Sequence, residues 1–332
     1  MKIKYKNIIF FSLLSIIAGL FLACKSSYIL AAIENEIKLK KATAAGTVNN
    51  IVKAGSKLYC SNGKVLTKSE FSEGEWSELN TPTSGLVTGV ASDGTQLYIS
   101  IIDDDTNGKG VWVYDGTTWS KIDGTDHIVY VSGSGTVFAA SNDAVFPVNG
   151  TSLGTEILKG NLVAAGGDYC SDYKAVYNSS GKVSDAPGGI RAIDKDGQYF
   201  LTKTHLYVPS NWSKSFEHGI LEPTDAVLLD HSGKKILLVS SNEGGYAEIE
   251  INESNITKSK TIRPGSSGST TPPGSAEQYA SSVGKYPVFC IFAEAKNAED
   301  YYIHLGANDT NYAKFTGLWG FYSTGKEEWN IE

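Results

Sequence analysis

The stretch that decides the fold is GLVTGVASDGTQLYISIIDDDTNGKGVWVYDGTTWSKID, from Gly85 to Asp123. It contains four short runs rich in β-branched and aromatic residues, which are Val87–Ala91, Leu97–Ile101, Val111–Tyr114 and Trp119–Ile122. The turn-forming pairs Asp93-Gly94 and Asp115-Gly116 lie between the first and second runs and between the third and fourth. Runs of this kind joined by such pairs predict antiparallel hairpins. The stretch therefore indicates one unit of four antiparallel strands.

The same unit recurs along the chain. A glycine turn followed by an apolar strand occurs seven times, anchored on Gly55, Gly94, Gly135, Gly167, Gly197, Gly233 and Gly284. A four-stranded sheet cannot bury both of its faces alone, whereas several sheets packed around an axis can, and a period near 40 residues is typical of propeller blades. The sequence predicts an all-β fold, a seven-bladed β-propeller over residues 47–332. Six blades is the alternative, because the fourth and fifth units are short.

The repeat places equivalent residues in each blade. Six aromatic residues, each near the start of the strand after a glycine turn, are expected between blades, namely Tyr59, Tyr98, Phe138, Tyr169, Phe200 and Phe289. Cys60, Cys170 and Cys290 each follow an aromatic residue, which places them on second strands as buried filling residues. The pattern resembles bacterial propeller repeat proteins in general. It lacks the Gly-His and Trp-Asp pairs of WD40 repeats and the double glycines of kelch repeats, so the resemblance implies a fold and assigns no activity.

The N-terminus has the features of an export signal. Lys2, Lys4 and Lys6 precede an apolar run from Ile8 to Leu22, which ends in LFLAC. This ending resembles the lipobox of bacterial lipoproteins, in the looser form that spirochaetes tolerate, because Phe21 stands where leucine is usual. The resemblance implies a signal peptide at residues 1–23, lipid on Cys24, and a tether at residues 24–46 with a closing strand at Glu36–Lys41. A plain secretory signal and an uncleaved helix are the alternatives.

The charge of the chain excludes some partners. The chain has 29 basic and 36 acidic residues, and residues 1–23 hold three lysines and no acid, so the mature chain has a net charge of about −10. Nucleic acid is therefore not an expected partner. Lipid on Cys24 would supply the membrane contact. Lys25 and Ser26 follow that cysteine, and the absence of aspartate there favours the outer membrane of a bacterial envelope under the enterobacterial sorting pattern.

The acidic run Asp103–Asp105 permits two interpretations. Asp103, Asp105 and Asn107, followed by Gly108, match the start of an EF-hand calcium loop. The match fails at the twelfth position, where Tyr114 replaces the bidentate carboxylate. Within the repeat, the run joins a second strand to a third, where such residues form turns. We predict a hairpin turn, with calcium as the alternative and no other cofactor.

The departures from the repeat are the candidate recognition sites. Residues 264–275 are expected to be a flexible linker between the last two blades, because they are rich in glycine, serine and proline. Residues 296–317 are expected to be an insertion between two strands of the last blade. Tyr301, Tyr302, Tyr312 and Phe315 lie in this insertion, and aromatic residues on loops are common in protein interfaces. We predict that they bind a protein or glycan partner, unless the insertion only adds a hairpin.

Catalytic motifs are scarce. The chain has no HExxH, GxSxG, phosphate-binding glycine loop or paired-cysteine metal motif. The histidines are expected to be solvated loop residues. The sequence therefore predicts a monomeric, non-catalytic binding or assembly module. The alternative is an extracytoplasmic hydrolase or lyase acting on polysaccharide or peptide, which would need carboxylates that converge in the central channel.

Overall fold

The computed structural model describes residues 44–72, 76–272, 287–308, 316–324 and 329–332. The described chain forms seven antiparallel sheets, each built from strands that are consecutive in the sequence. The prediction of a seven-bladed β-propeller is confirmed, and the six-bladed alternative is wrong. Within the described residues, no helix is both long and apolar enough to cross a membrane.

The first four blades use strands β1 to β17. Blade 1 comprises β1 (Ile51–Ala54), β2 (Lys57–Ser61), β3 (Val65–Ser69) and β4 (Ser77–Leu79). Blade 2 comprises β5 (Leu86–Ser92), β6 (Leu97–Ile102), β7 (Gly108–Tyr114) and β8 (Trp119–Lys121). Blade 3 comprises β9 (Tyr130–Ser132), β10 (Val137–Ala140), β11 (Ala144–Asn149), β12 (Ser152–Leu153) and β13 (Leu158–Lys159). Blade 4 comprises β14 (Ala164–Gly166), β15 (Tyr169–Ser171), β16 (Val176–Asn178) and β17 (Gly181–Lys182).

The last three blades have four strands each. Blade 5 comprises β18 (Ala192–Ile193), β19 (Phe200–Leu201), β20 (His205–Tyr207) and β21 (Ser215–Glu217). Blade 6 comprises β22 (Pro223–His231), β23 (Lys234–Ser241), β24 (Tyr246–Glu250) and β25 (Lys260–Ile262). Blade 7 comprises β26 (Val288–Ala295), β27 (Tyr301–Ala307), β28 (Gly317–Tyr322) and β29 (Asn330–Ile331).

The repeated glycines lie at the turns between the first and second strands, where neighbouring blades meet. In blades 1 to 6 each of these glycines has a positive φ, which a glycine adopts without steric cost. Their backbones bond from blade to blade: Gly55 N–H donates to Gly94 O over 3.0 Å, and Thr136 N–H donates to Gly167 O over 2.9 Å. This chain of hydrogen bonds explains why the glycine repeat follows the blades so closely.

Blade 7 does not follow the predicted register. Phe289 and Cys290 lie on β26, which is the first strand of the blade and not the second. The turn that follows β26 contains no glycine. Its Asn297 Oδ1 accepts hydrogen bonds from the backbone N–H groups of Glu299 (2.7 Å) and Asp300 (2.8 Å). The predicted position of Phe289 and Cys290 on a second strand is therefore wrong.

The two ends of the described chain meet in the last blade. Ala45 pairs with Gly317 at the end of β28, and Ala44 N–H donates to Glu332 O over 3.1 Å. The segment before β1 thus extends the outer edge of blade 7 beyond β29, and blade 1 follows directly. The predicted closing strand at Glu36–Lys41 lies outside the described residues.

The side chain of Glu332 also joins blade 7 to blade 1. The Glu332 side chain is 6% exposed. Its carboxylate accepts hydrogen bonds from Lys68 Nζ (2.9 Å) and Trp76 Nε1 (2.7 Å) of blade 1. From blade 7, the Tyr322 hydroxyl donates to it over 2.7 Å and His304 Nδ1 lies 3.1 Å away. His304 is fully buried on β27, and His218 (2% exposed) and His231 (7% exposed, on β22) are buried too. The expectation that the histidines are solvated loop residues is therefore wrong for these three.

The described part of the segment predicted to be a flexible linker is hydrogen-bonded to blades 6 and 7. Glu248, on β24, accepts hydrogen bonds from Ser269 Oγ (2.6 Å) and from the Thr271 N–H (2.8 Å). The Tyr246 hydroxyl donates to the Pro272 carbonyl oxygen over 2.7 Å, and the Tyr301 hydroxyl donates to Thr270 O over 3.0 Å. Residues 269–272 are therefore in contact with blades 6 and 7. The flexibility of residues 264–275 stays a prediction, and residues 273–275 lie outside the described part.

Candidate functional site

The candidate site is the mouth of the central channel. The connections from outer strands to the next inner strands, and from second to third strands, open on one side of the ring, which we call the mouth face. The other connections form the opposite face. A cavity of about 680 Å³ lies where the inner strands begin. Concave sites of this size are the common places for ligands and for partner side chains.

β-Bulges shape the wall of this cavity. The inner strands of blades 2, 6 and 7 each have one residue near their start that is unpaired with the second strand. These residues are Thr88, Thr224 and Phe289. The two threonines have the same role, because each donates to the chain at the start of the next inner strand or one residue before it: Thr88 to Val129 O (2.5 Å) and Thr224 to Val288 O (2.6 Å). Bulges of this kind turn side chains toward a site. Here they direct residues into the cavity.

A buried polar network forms the floor of the cavity. Lys195 Nζ lies 2.8 Å from Asp225 Oδ2 and donates to Asn50 Oδ1 over 2.9 Å. Asn50 Nδ2 in turn donates to Val90 O over 3.1 Å, and Ile291 N–H donates to Asp225 Oδ2 over 3.0 Å. The network connects blades 1, 2, 5, 6 and 7 across the axis. Lys195 and Asp225 balance each other's charge, so this pair stabilises the floor without adding a net charge to it.

A second charged pair lies at the rim, between blades 4, 5 and 6. The Arg191 guanidinium bonds to Glu222 Oε2 and stacks over the Tyr173 ring, with 5.6 Å from Arg191 Cζ to the ring centroid. Lys203 Nζ lies 2.7 Å from Glu222 Oε1. Hydrogen bonding by Lys203 and the charge of Arg191 lower the pKa of Glu222, so the pair stays charged. Tyr173 and Glu222 both have positive φ, at 73° and 43°, which is rare for such residues and is common at functional sites.

Exposed hydrophobic side chains are confined to the mouth face. Among the described residues, the large hydrophobic side chains that are exposed are Leu86 (53%), Val163 (46%), Tyr173 (46%) and Leu221 (63%). Each lies at the start of an inner strand, just before one, or in a connection from a second to a third strand, and all of these positions open on this face. Val163 and Tyr173 line the cavity together with Arg191. Leu221 is next to Glu222, which binds Arg191, so blades 4, 5 and 6 contribute to one patch. We call it the rim patch, and it comprises Val163, Tyr173, Arg191, Leu221 and Glu222.

The predicted aromatic site is not where the sequence placed it. Tyr301 and Tyr302 are the first residues of β27, and they are only 9% and 1% exposed. The Tyr301 hydroxyl is bonded to Thr270 O, and the Tyr302 hydroxyl donates to Glu294 Oε2 over 2.9 Å. Their expected position in a loop is therefore wrong, because a second strand is covered on both sides in a propeller. Tyr312 and Phe315 lie outside the described residues.

The acidic run forms the predicted hairpin turn between β6 and β7. Asp103 Oδ1 accepts hydrogen bonds from the N–H groups of Asp105 (3.0 Å) and Asn107 (2.8 Å). The bond from Asn107, above all, lowers the pKa of Asp103. Within the described residues, no group of three or more His, Cys, Asp or Glu side chains is placed to hold a metal ion. Calcium binding by Asp103, Asp105 and Asn107 stays a prediction.

The described cysteines are buried thiols. Cys60, Cys170 and Cys290 are free and buried. Burial raises the pKa of the Cys170 and Cys290 thiols to about 12, with nearby Asp172 and Asp225 adding to the shift, so neither thiol is a reactive nucleophile. Cys24, the predicted lipidation site, lies outside the described residues.

The fold defines the class, which is that of the seven-bladed β-propellers. The chain belongs to the TP013X lipoprotein family, whose model matches residues 2–332. It is 27% identical to an uncharacterized lipoprotein of Treponema pallidum (strain Nichols), over 93% of each chain. It is 25% identical to a second lipoprotein of that strain, over 95% of this chain and 97% of the relative.

A solved structure supports the fold alone. The WD40 repeats of RRP9 superpose with a TM-score of 0.51 at 10% identity, over 80% of this chain and 92% of that one. At this identity the similarity carries no information about ligands or partners. The expectation of a spirochaete-type lipoprotein with a propeller domain is confirmed.

Proposed function

We propose that this lipoprotein is an envelope binding module that holds a protein partner on its mouth face. The observation that carries the proposal is the confinement of the exposed large hydrophobic side chains to that face. Exposed hydrophobic side chains that cluster around a concave site are typical of protein-binding surfaces. The glycan partner that the sequence also allowed is less well matched by a rim with exposed leucine and valine.

The rim patch has the composition of an interaction hot spot. Tyrosine and arginine contribute strongly to protein interfaces, because each offers a flat surface together with hydrogen-bond donors. Tyr173 is held in place by Arg191, which is itself held by Glu222. A side chain that is already fixed loses little entropy on binding. The patch is thus ordered before the partner arrives.

We expect photo-cross-linking to locate the partner on this face. Benzoylphenylalanine in place of Tyr173 or of Leu221 should give the same covalent adduct in cells of the native host. The same group in place of Thr117, an exposed residue in the turn between β7 and β8 on the opposite face, is the control. Arg191→Ala should abolish both adducts, because it removes the side chain that packs against the ring at position 173 and binds Glu222, the neighbour of Leu221. Adducts from the control position alone, or adducts unaffected by Arg191→Ala, would contradict the proposal.

We also propose that Cys24 carries the lipid anchor. Support comes from the family, from the similar lipoproteins of Treponema pallidum and from the LFLAC sequence. We expect radiolabelled palmitate to label the wild-type protein and not the Cys24→Ser variant, which should move from the detergent phase to the aqueous phase on Triton X-114 partitioning. Cys60→Ser is the matched control and should keep the label. Labelling of Cys24→Ser would refute the assignment.

The side of the envelope is a separate question. We propose the outer membrane as the site of the anchor, on the basis of Lys25 and Ser26 after the cysteine. Protease treatment of intact cells, with a periplasmic marker, tests surface exposure. Fractionation with the inner membrane would contradict the proposal. The enzymatic alternative stays a prediction. At the mouth, Asp225 binds Lys195 and Glu222 binds Arg191.

A further inference from the structure

A second cavity lies on the opposite face, between blades 5 and 6. It has a volume of about 500 Å³. It exists because the connections from third to fourth strands are long in these two blades, at residues 208–214 and 251–259. The corresponding connections of blades 2, 3 and 4 cover only residues 115–118, 150–151 and 179–180. The two long connections form the walls of a groove, which the short connections of blades 2, 3 and 4 do not form. We call it the asparagine groove.

Three asparagines line this groove, and each begins an Asn-x-Ser/Thr sequence. The side-chain oxygen of each accepts a hydrogen bond from the hydroxyl of the third residue of that sequence. The donors are Ser213 for Asn211 (2.6 Å), Ser254 for Asn252 (2.8 Å) and Thr257 for Asn255 (2.8 Å). Each oxygen also accepts a backbone N–H, at 3.0 to 3.2 Å. A backbone N–H can only donate, so the accepting atom must be oxygen, and the amide orientation is fixed.

This orientation leaves the amide nitrogens for the groove. Each asparagine Nδ2 has two hydrogen-bond donors. Among the residues that the structure describes, none of these three groups has a hydrogen-bond partner. The oxygens are saturated by two bonds each, so the asparagines present donors alone. Sequence reasoning could have found this signal, because three such tripeptides fall within the two connections at residues 208–214 and 251–259.

The charges in the groove add to the excess of donors. Lys214 lies along the same wall. Glu253, the carboxylate in the lining, is 2.5 Å from Lys235 Nζ, so its charge is balanced. Tyr169, which is half-buried, and Tyr199, which is 5% exposed, also line the groove. Burial and the carboxylates of Asp194 and Glu253 raise the pKa of Tyr199 to about 12, and its hydroxyl therefore keeps its proton. The groove offers donors, a cation and aromatic side chains.

We propose that the asparagine groove binds an oxygen-rich saccharide, and that Lys214 favours one with acidic substituents. A peptide brings one donor for each acceptor along its backbone, so its N–H groups would find no acceptors among these asparagines. A saccharide brings ring, glycosidic and carboxylate oxygens, which are acceptors only, together with hydroxyl groups. Tyrosine rings pack against the C–H faces of sugars while their hydroxyls bond to oxygen. The site lies on the other face from the rim patch, so it goes beyond the proposed protein binding.

The test uses conservative changes in the whole chain. Asn→Asp at positions 211, 252 and 255 keeps the oxygen that accepts the turn hydrogen bonds and replaces the donating amide by an acceptor. Asn178→Asp is the matched control: Asn178 also begins an Asn-x-Ser turn, its Oδ1 accepts Ser180 N–H over 2.9 Å, and it lies outside the groove. An array of defined neutral and uronate-bearing oligosaccharides identifies a probe, and titration by NMR measures its affinity.

We expect at least one uronate-bearing oligosaccharide to bind. Each groove variant should weaken binding by about tenfold, which is the effect of losing one or two hydrogen bonds, and Asn178→Asp should not change it. Lys214→Ala should weaken uronate binding more than neutral binding. The absence of binding across the array, or equal affinities of the groove variants and the control, would overturn the proposal. Tyr173→Ala should leave saccharide binding unchanged, so this result and the cross-linking result are independent.

Discussion

Glu332→Gln is expected to lower the free energy of unfolding by about 3 kcal/mol at neutral pH. Burial alone would raise the pKa of Glu332, but the charges and hydrogen bonds of His304 and Lys68 outweigh it and lower the pKa to about 2. A shift from 4.5 to about 2 corresponds to about 3 kcal/mol, and removing one partner of a buried pair has a cost of the same size. Glutamine would remove the negative charge that the buried Lys68 Nζ contacts at 2.9 Å.

The effect of Glu332→Gln should depend on pH. The carboxyl pKa is lower in the folded state than in the unfolded state, so its contribution to stability is complete above about pH 4.5 and is lost as the pH falls toward 2. The difference in unfolding free energy between the wild type and Glu332→Gln should therefore be constant from about pH 7 to pH 5 and should shrink between about pH 4.5 and pH 2. Urea denaturation at several pH values measures it.

A surface pair provides the control for Glu332. Glu78 lies 2.7 Å from Lys64 Nζ, and its side chain is 51% exposed. The same substitution, Glu78→Gln, should cost less than about 1 kcal/mol, because exposed ion pairs contribute little. Equal losses for the two variants, or a Glu332→Gln effect that does not change between pH 5 and pH 2, would show that Glu332 does not lock blade 7 to blade 1.

The blade repeat could be predicted from the sequence because the constraint on it is local. In blades 1 to 6 the turn between the first and second strands contains a glycine with positive φ, as at Gly55 and Gly94. In blade 7 this turn contains no glycine and is held by hydrogen bonds to Asn297 Oδ1. The glycine repeat therefore does not mark it, and the predicted register of this blade is wrong by one strand. Tyr301 and Tyr302 were then assigned to a loop, although they begin the central strand β27.

The rim patch could not be predicted from the sequence. Tyr173, Arg191 and Glu222 belong to three different blades, and only the ring closure brings them together. Each residue is ordinary in its own segment. The Glu332 cluster has the same character, because Lys68 and Glu332 are 264 residues apart in the sequence. Contacts of this range depend on the geometry of the whole ring, which no local pattern records.

Gly166→Ala is expected to reduce the free energy of unfolding by about 3 kcal/mol, because the added Cβ atom would push apart the inner strands of two blades. Gly166 is the last residue of β14, and a Cβ atom there would lie 2.0 Å from the carbonyl oxygen of Asp194 in blade 5. The atom that it would meet belongs to the backbone, so no side-chain rotation relieves the clash. Blades 4 and 5 would have to separate, and the short strands of both blades hold few other contacts that could compensate.

The control for Gly166 separates the clash from backbone strain. Gly116 has a positive φ of 99°, and a Cβ atom there would have open space around it. Gly116→Ala should therefore cost about 1 kcal/mol, from backbone conformation alone. Urea denaturation of both variants, followed by tyrosine and tryptophan fluorescence, gives the comparison. Because the φ of Gly166 is accessible to alanine, a cost no larger than that of Gly116→Ala would mean that the inner strands of blades 4 and 5 do not pack as closely as the structure shows.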